Sequence, residues 1–450
     1  MSGIFEPNRR TFLKTAGIAA ITGITGATQT VFATPNGALK ASDGKYDFDT
    51  VYSRIGSKCY KWDNQITRFG AENIQVGMGV ATMDFQAAPC ITKALADRCA
   101  HENWGYSVIQ DSLYEAIADW NMARYGFEVD PDSLVISAGV YPAIIAALRT
   151  LCEPMSKVLL LTPTYSGFYY HLTHTRTIAN ESPMIFDNGT YKIDWDDLES
   201  RMTPDTHAMI VCNPKNPTGN VWSQADLLRI GQMCLDHQIV VLSDEIHCDF
   251  VRSGHTYTPF AALPDKKVVD NSITFKAVSK TFSLAGLKNA YFFSTNSVLL
   301  ERVESNHRAD INALGLVATE AAYREGADWF DQLMPYLDDN HAFVEKYIAE
   351  NIPLISVTKA QGTYLSWLDV NKAIDAIGAK RLSVSQNGDG YPATLEESVE
   401  RWFVEKAGVQ LNPGSKYGLG ASGHMRMNLG TSRTLIKIAL DNMASALRSV

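Results

Sequence analysis

This 450-residue chain is short of basic charge: 40 Lys and Arg stand against 49 Asp and Glu, a formal net charge of −9. That balance argues against a general nucleic-acid binder, which presents a basic face to phosphates. Seven cysteines contain no C-x-x-C pair and no metal-ligand spacing, so neither zinc nor any other metal site is expected. Cys212 and Cys248 lie in or beside apolar runs and read as small buried hydrophobes rather than nucleophiles. There is no internal repeat, no low-complexity tract and no block of like charge long enough for a disordered tail. What the chain does have is 46% hydrophobic and 20% charged residues, enough to bury more than one core. The expectation is a soluble acidic enzyme with two domains of unequal size.

Near the N-terminus, "NRRTFLK" (Asn8 to Lys14) precedes "TAGIAAITGITGATQTVFA", a weakly apolar run rich in Gly, Ala and Thr. The segment resembles a twin-arginine export signal. Its glycines and threonines make it a poor membrane span, and "VFA" (Val31 to Ala33) offers a small-x-small cleavage pattern. An exposed basic end on a cytosolic protein is the plainer alternative. Export would place the mature chain in the periplasm, with the twin-arginine translocation machinery as a partner and no membrane association afterwards. That route carries folded proteins, so a cofactor acquired before export is worth seeking.

From Ser133 onward, short β-branched runs alternate with helical stretches. Leu134 to Ser137, Lys157 to Thr162, Ala208 to Cys212, Ile239 to Ser243 and Ser272 to Val278 read as strands that are apolar on both faces, as in a helix-covered parallel sheet. Tyr141 to Cys152 and Ser223 to His237 have helical spacing. The fold class is therefore α/β, with an open, mostly parallel sheet covered by helices in a large domain over residues 86–322. A smaller α/β domain would combine residues 34–85 with 323–450, leaving 1–33 as the signal.

Polar groups follow the C-terminal end of each expected strand: "SAGVY", "TPTYSGF", "NPKNPTG", "DEIH" and "SKTF". Ligands of open α/β sheets bind at that edge, so five such stretches suggest one site. Gly139 admits close backbone approach, and the helix beginning near Val140 and Tyr141 would aim free N–H groups at a phosphate; a simple strand-to-helix turn is the alternative. Tyr165 would stack on an aromatic ring or cap the surface. Asn216, flanked by prolines, would donate to a phenolate or merely complete a Pro-Gly turn. Asp244 at the end of a buried strand needs a cationic partner, which a protonated pyridine nitrogen supplies. Lys280 among apolar neighbours is biased toward the neutral amine, which can form a Schiff base and carry a proton. These are the parts of a pyridoxal-phosphate site.

On these residues the chain resembles pyridoxal-phosphate enzymes of the aspartate-aminotransferase fold, from about Gln75 to the C-terminus. Asn216, Asp244 and Lys280 are spaced by 28 and 36 positions, as in that fold. Within it the chain is most similar to the cystathionine β-lyase-like C–S lyases, on "ATMDF" (Ala81 to Phe85), "NWGYS", "DEIH", "QGTYLSWLD" and "VQLNPGSKYG". His247 stands where ordinary aminotransferases more often have Tyr. The resemblance implies that Arg426 holds the α-carboxylate of an amino-acid substrate, rather than forming a surface ion pair. It also implies that Tyr106 reaches the cofactor phosphate of a neighbouring subunit in a homodimer, rather than packing within its own chain. Departures are Thr82 within "ATMDF", Ala277 in place of a serine three positions before Lys280, and Ser283 in place of Asn. Lys288 occupies the position of a phosphate-binding arginine. The implied activity is β-elimination from an S-substituted amino acid to pyruvate, ammonia and a thiol. An aminotransferase is the alternative, and a non-catalytic regulatory protein on the same fold is a third reading.

Overall fold

Apolar, β-branched runs cannot satisfy both their backbone and their side chains in water, and here they pair into one central sheet. The computed structural model describes Lys40, residues 44–385 and residues 393–450, so the stretch read as an export signal lies outside the described residues. The sheet strands are β1 (Val135–Ser137), β2 (Lys157–Thr162), β3 (Ile178–Pro183), β4 (Thr206–Cys212), β5 (Val240–Asp244), β6 (Ser272–Lys276) and β7 (Ala290–Phe293). Their order is β1-β7-β6-β5-β4-β2-β3. Pairs β3/β2, β2/β4, β4/β5 and β5/β6 are parallel. Only β7 runs against its two neighbours. β1 therefore points the same way as β6, and all five strands expected from the sequence deliver their following loops to one edge.

Three features were not legible. β3 reads "IANESP", a polar sheet-edge strand ending in proline, so it carries no apolar signature. β7 has four residues, too few for a periodicity. The run expected to extend to Val278 stops at Lys276: Val278–Thr281 is a single helical turn, and Lys280 sits on that turn.

Helices α1 (Val140–Leu151), α2 (Gly167–Thr175) and α3 (Gln224–Asp236) follow β1, β2 and β4. α3 buries Leu227, Ile230, Gly231 and Cys234, the i, i+3, i+4, i+7 stripe, and Ser223 caps it by accepting from the Asp226 N–H. Cys212 and Cys248 are buried, and all seven cysteines are free thiols.

A second, antiparallel sheet comprises β8 (Ser356–Val357), β9 (Leu365–Asp369), β10 (Asn412–Pro413) and β11 (His424–Asn428) in the order β8-β9-β11-β10. It is accompanied by α4 (Ala327–Asn351), α5 (Leu395–Ala407) and α6 (Arg433–Leu447). α5 starts in a Thr394/Glu397 capping box and ends at Gly408, whose φ of 68° is the left-handed C-cap. The N-terminal segment joins these elements: Val76–Gly77 pairs with Val409–Gln410, and Trp62, Ile74 and Met78 share a core with Val344, Phe403, Ile436 and Leu440. The architecture is the expected α/β one. Among the described residues no helix is long and apolar enough to cross a membrane.

Candidate active site

The loops after β1, β2, β4, β5 and β6 enclose a cavity of about 250 Å³. Gly139, Val140, Tyr165, Asn216, Asp244, His247, Lys280 and Lys288 all line it. α1 begins at its wall. Gly139 caps that helix with φ 155°, a conformation side-chain-bearing residues rarely adopt, and no side chain caps the helix in its place. The first-turn N–H groups of Val140 and Tyr141 have no intrahelical acceptor, because a helix leaves its first donors unpaired. They form a ready anion cradle.

Asp244 ends β5 and is 4% exposed, and among the described residues its carboxylate accepts only the Ile246 N–H, at 3.2 Å. Burial pushes its carboxyl up to about 7, against the Ile246 hydrogen bond and the Lys280 charge, which pull it down. Lys280 is partly buried and donates from Nζ to the Ala81 carbonyl at 2.9 Å. Burial lowers its amine to about 8, Arg426 lowers it further and Asp244 opposes both. His247 is held well below the ordinary imidazole range by burial and by the Lys280 and Arg426 charges, so it is neutral, with Nδ1 unpartnered.

Arg426, on β11, reaches across from the second sheet. Its Nη1 donates to Asn216 Oδ1 at 3.0 Å and its Nη2 to the Gly79 carbonyl at 2.7 Å, while buried Nε has no partner. Because the Asn216 oxygen is engaged, its Nδ2 donor is left for the cavity. Tyr106 is fully exposed and outside the cavity wall, so the alternative of packing within its own chain does not hold. Lys288 is exposed at the rim, and Ala277 is buried without a hydroxyl to offer.

The motif "ATMDF" and the two residues before it, Gly79 and Val80, act through their backbone, which the sequence does not announce. Gly79 O receives Arg426, Ala81 O receives both Lys280 and Tyr364, and Val80 O and Thr82 O receive Asn428 Nδ2. This strip is the seam where Lys280, Arg426 and Tyr364 meet. Asp84 anchors its far end: it is 3% exposed and accepts from Lys61 at 2.6 Å, Trp62 at 3.1 Å and Arg54 at 3.2 Å. The available signal was a second buried-looking carboxylate, but its partners lie in a different stretch of chain. His171, on α2, was also missed: it lines the cavity and is 1% exposed.

The donor set suits pyridoxal phosphate. An amine for an aldehyde, a buried carboxylate in no salt bridge among the described residues, a free amide N–H and an uncapped helix N-terminus match its four functional groups. Residues 73–443 match the family described as aminotransferase class I and II. Cystathionine beta-lyase PatB of Bacillus subtilis is 34% identical over 406 residues, 89% of this chain and 100% of PatB. Protein MalY of Escherichia coli is 28% identical over 90% of this chain and 100% of MalY. Among solved structures, the PLP-bound C–S lyase of Staphylococcus hominis has a TM-score of 0.79 at 30% identity, covering 90% of this chain and 98% of that one.

Proposed function

We propose that this chain, which belongs to the aminotransferase class I and II family, is a pyridoxal-phosphate-dependent C–S β-lyase. It would convert an amino acid carrying a β-thioether, with water, to pyruvate, ammonia and a thiol. The observation that carries this reading is the convergence of Lys280, Asp244, Asn216 and the α1 N-terminus on one cavity, in a chain whose relatives include cystathionine β-lyase and C–S lyase. When bound, the cofactor supplies an electron sink for the carbanion left by loss of the α-proton.

The chain's own residues have distinct tasks. Lys280, with a pKa near 8, holds or releases a proton at Nζ near neutral pH, and the Ala81 carbonyl orients that amine. Asp244 offers the negative charge that favours a protonated ring nitrogen, and such a cation would hold the carboxyl ionised despite its burial. Asn216 Nδ2 would donate to a ring oxygenate, and the N–H groups of Val140 and Tyr141, with Lys288, would hold the phosphate. Arg426, already fixed by Asn216 and Gly79, has Nε left for a substrate carboxylate. Neutral His247 packs its ring edge-on against Tyr364, with centroids 5.8 Å apart, and adds no charge beside the lysine.

Purified holoprotein given cystathionine or a cysteine S-conjugate should release pyruvate and thiol over many turnovers with no added keto acid. A requirement for a keto acid, without thiol release, would instead make it an aminotransferase. Exposed Trp104, Tyr106 and Val108 favour a homodimer in which Tyr106 reaches the partner's site; sedimentation of the holoprotein tests this. Export by the twin-arginine route to the periplasm rests on Arg9 and Arg10. Replacing both with lysine should leave the folded protein in the cytoplasm, and unchanged delivery would refute that route.

A further inference from the structure

His171 is the most buried cavity-wall side chain whose task is unaccounted for. It is 1% exposed, yet among the described residues neither Nδ1 nor Nε2 has a hydrogen-bond partner. Buried polar atoms are rarely left in that state, so an unpaired imidazole on a cavity wall implies an absent partner. Its neighbours do not serve it. The Tyr141 ring packs edge-on against it, with centroids 4.2 Å apart, but the Tyr141 hydroxyl meets His174 Nδ1 at 3.3 Å. His174 Nδ1 also meets the Tyr170 carbonyl at 2.6 Å, and Phe168 offers only a ring.

The place of this imidazole identifies the missing partner. Tyr141 belongs to the first turn of α1, so His171 packs against the turn whose free N–H groups form the anion cradle. Gly139, Tyr141, His171 and Lys288 line the same cavity. Within that turn Pro142 has no N–H to add to the cradle, which leaves a place for a further donor. Burial, helped by His174, lowers the imidazole to about 3, which leaves it neutral with one N–H to give.

Building on the cofactor assignment above, we infer that His171 is a phosphate-side residue of this site, its ring N–H donating to a phosphate oxygen of bound pyridoxal phosphate.

The test compares two ligands that differ only in the phosphate. Dissociation constants of pyridoxal phosphate and of pyridoxal are measured by absorbance for the wild type, His171→Ala and His171→Asn. Affinity for pyridoxal phosphate should weaken about tenfold or more in His171→Ala, pyridoxal should change by less than about twofold, and His171→Asn should recover part of the loss. Equal weakening of both ligands, or none, overturns the inference. Should the variants not fold, a crystal structure of wild-type holoprotein decides: a ring nitrogen within about 3.2 Å of a phosphate oxygen supports it, and a nitrogen beyond about 3.5 Å overturns it. A wild type that binds no pyridoxal phosphate would instead defeat the cofactor assignment itself.

Discussion

Asp244 and Glu245 are consecutive, both carboxylates and both buried, yet they serve two different regions. Glu245 belongs to a closed polar cluster. It accepts from Ser243 Oγ at 2.9 Å, from the Phe260 N–H at 2.9 Å and from the Tyr257 hydroxyl. Nearby Lys276 donates to Asn121 at 2.6 Å over the Tyr125 ring, and Asp249 accepts from Trp120 at 3.1 Å and Thr281 at 2.5 Å. On the other side, Asp244, His247, His171 and Arg426 Nε are buried with few partners or none. The cluster is complete as it stands, and such a network makes a rigid support for the turn bearing Lys280. The cavity is incomplete, which is what a site that must receive charge and hydrogen bonds looks like.

If that contrast is sound, the largest effect follows loss of the cavity lysine. Lys280→Ala should lower pyruvate release by about ten-thousandfold or more, since it removes both the nucleophilic amine and the proton carrier. Lys276→Met should instead act mainly on stability, costing about 3 kcal/mol in denaturant melts, because it strands charge in the buried cluster. Similar turnover losses in the two variants would erase the distinction.

The two acids come next. Asp244→Asn should reduce turnover about a thousandfold, which corresponds to about 4 kcal/mol in the proton-abstraction step. Glu245→Gln should leave turnover within about tenfold while destabilising the fold by roughly 1–3 kcal/mol. The reverse pattern would exchange their assigned roles.

Titration of the cofactor-free protein separates them again. The folded-state pKa of Asp244, about 7, lies above its ordinary value of 3.8. Its stabilising contribution is therefore full below about pH 4 and is lost as pH rises through about 7. Cofactor-free Asp244→Asn should accordingly melt higher than the wild type at pH 8, and that advantage should shrink steadily toward pH 4. An advantage independent of pH would contradict an unpaired carboxylate.

The smallest effect tests the junction between the regions. Thr281→Val removes one donor to Asp249 and should cost about 1 kcal/mol of stability, with turnover nearly kept. A loss beyond about tenfold in kcat, with the fold intact, would mean that the cluster tunes the lysine as well as supporting it.

Much of this was legible because the relevant signals are local. Both-faces-apolar runs of four to seven residues announce buried parallel strands, and a charged residue directly after such a run marks the ligand-binding edge. Asp244 follows from that rule directly; Asn216 and Gly139 lie in the loops just after their strands, and Lys280 stands on the helical turn Val278–Thr281 that follows Ala277. β3 and β7 escaped because one is polar at the sheet edge and the other too short for a period. Tyr106 stays fully exposed among the described residues, because its implied partner lies on another chain.

By itself, the sequence determined the strand-and-loop order, and with it the groups that gather at one sheet edge. Chain connectivity and hydrophobic patterning suffice for that, because parallel strands must deliver their loops to the same side. Tertiary structure alone decided which polar groups are satisfied. Arg426 meets Asn216 across 210 positions, Lys280 meets the Ala81 carbonyl across 199, and Glu245 is enclosed while Asp244 is left open. Hydrogen bonds depend on direction and on separations of about 3 Å. No pattern within one stretch of chain specifies where another stretch will come to rest against it.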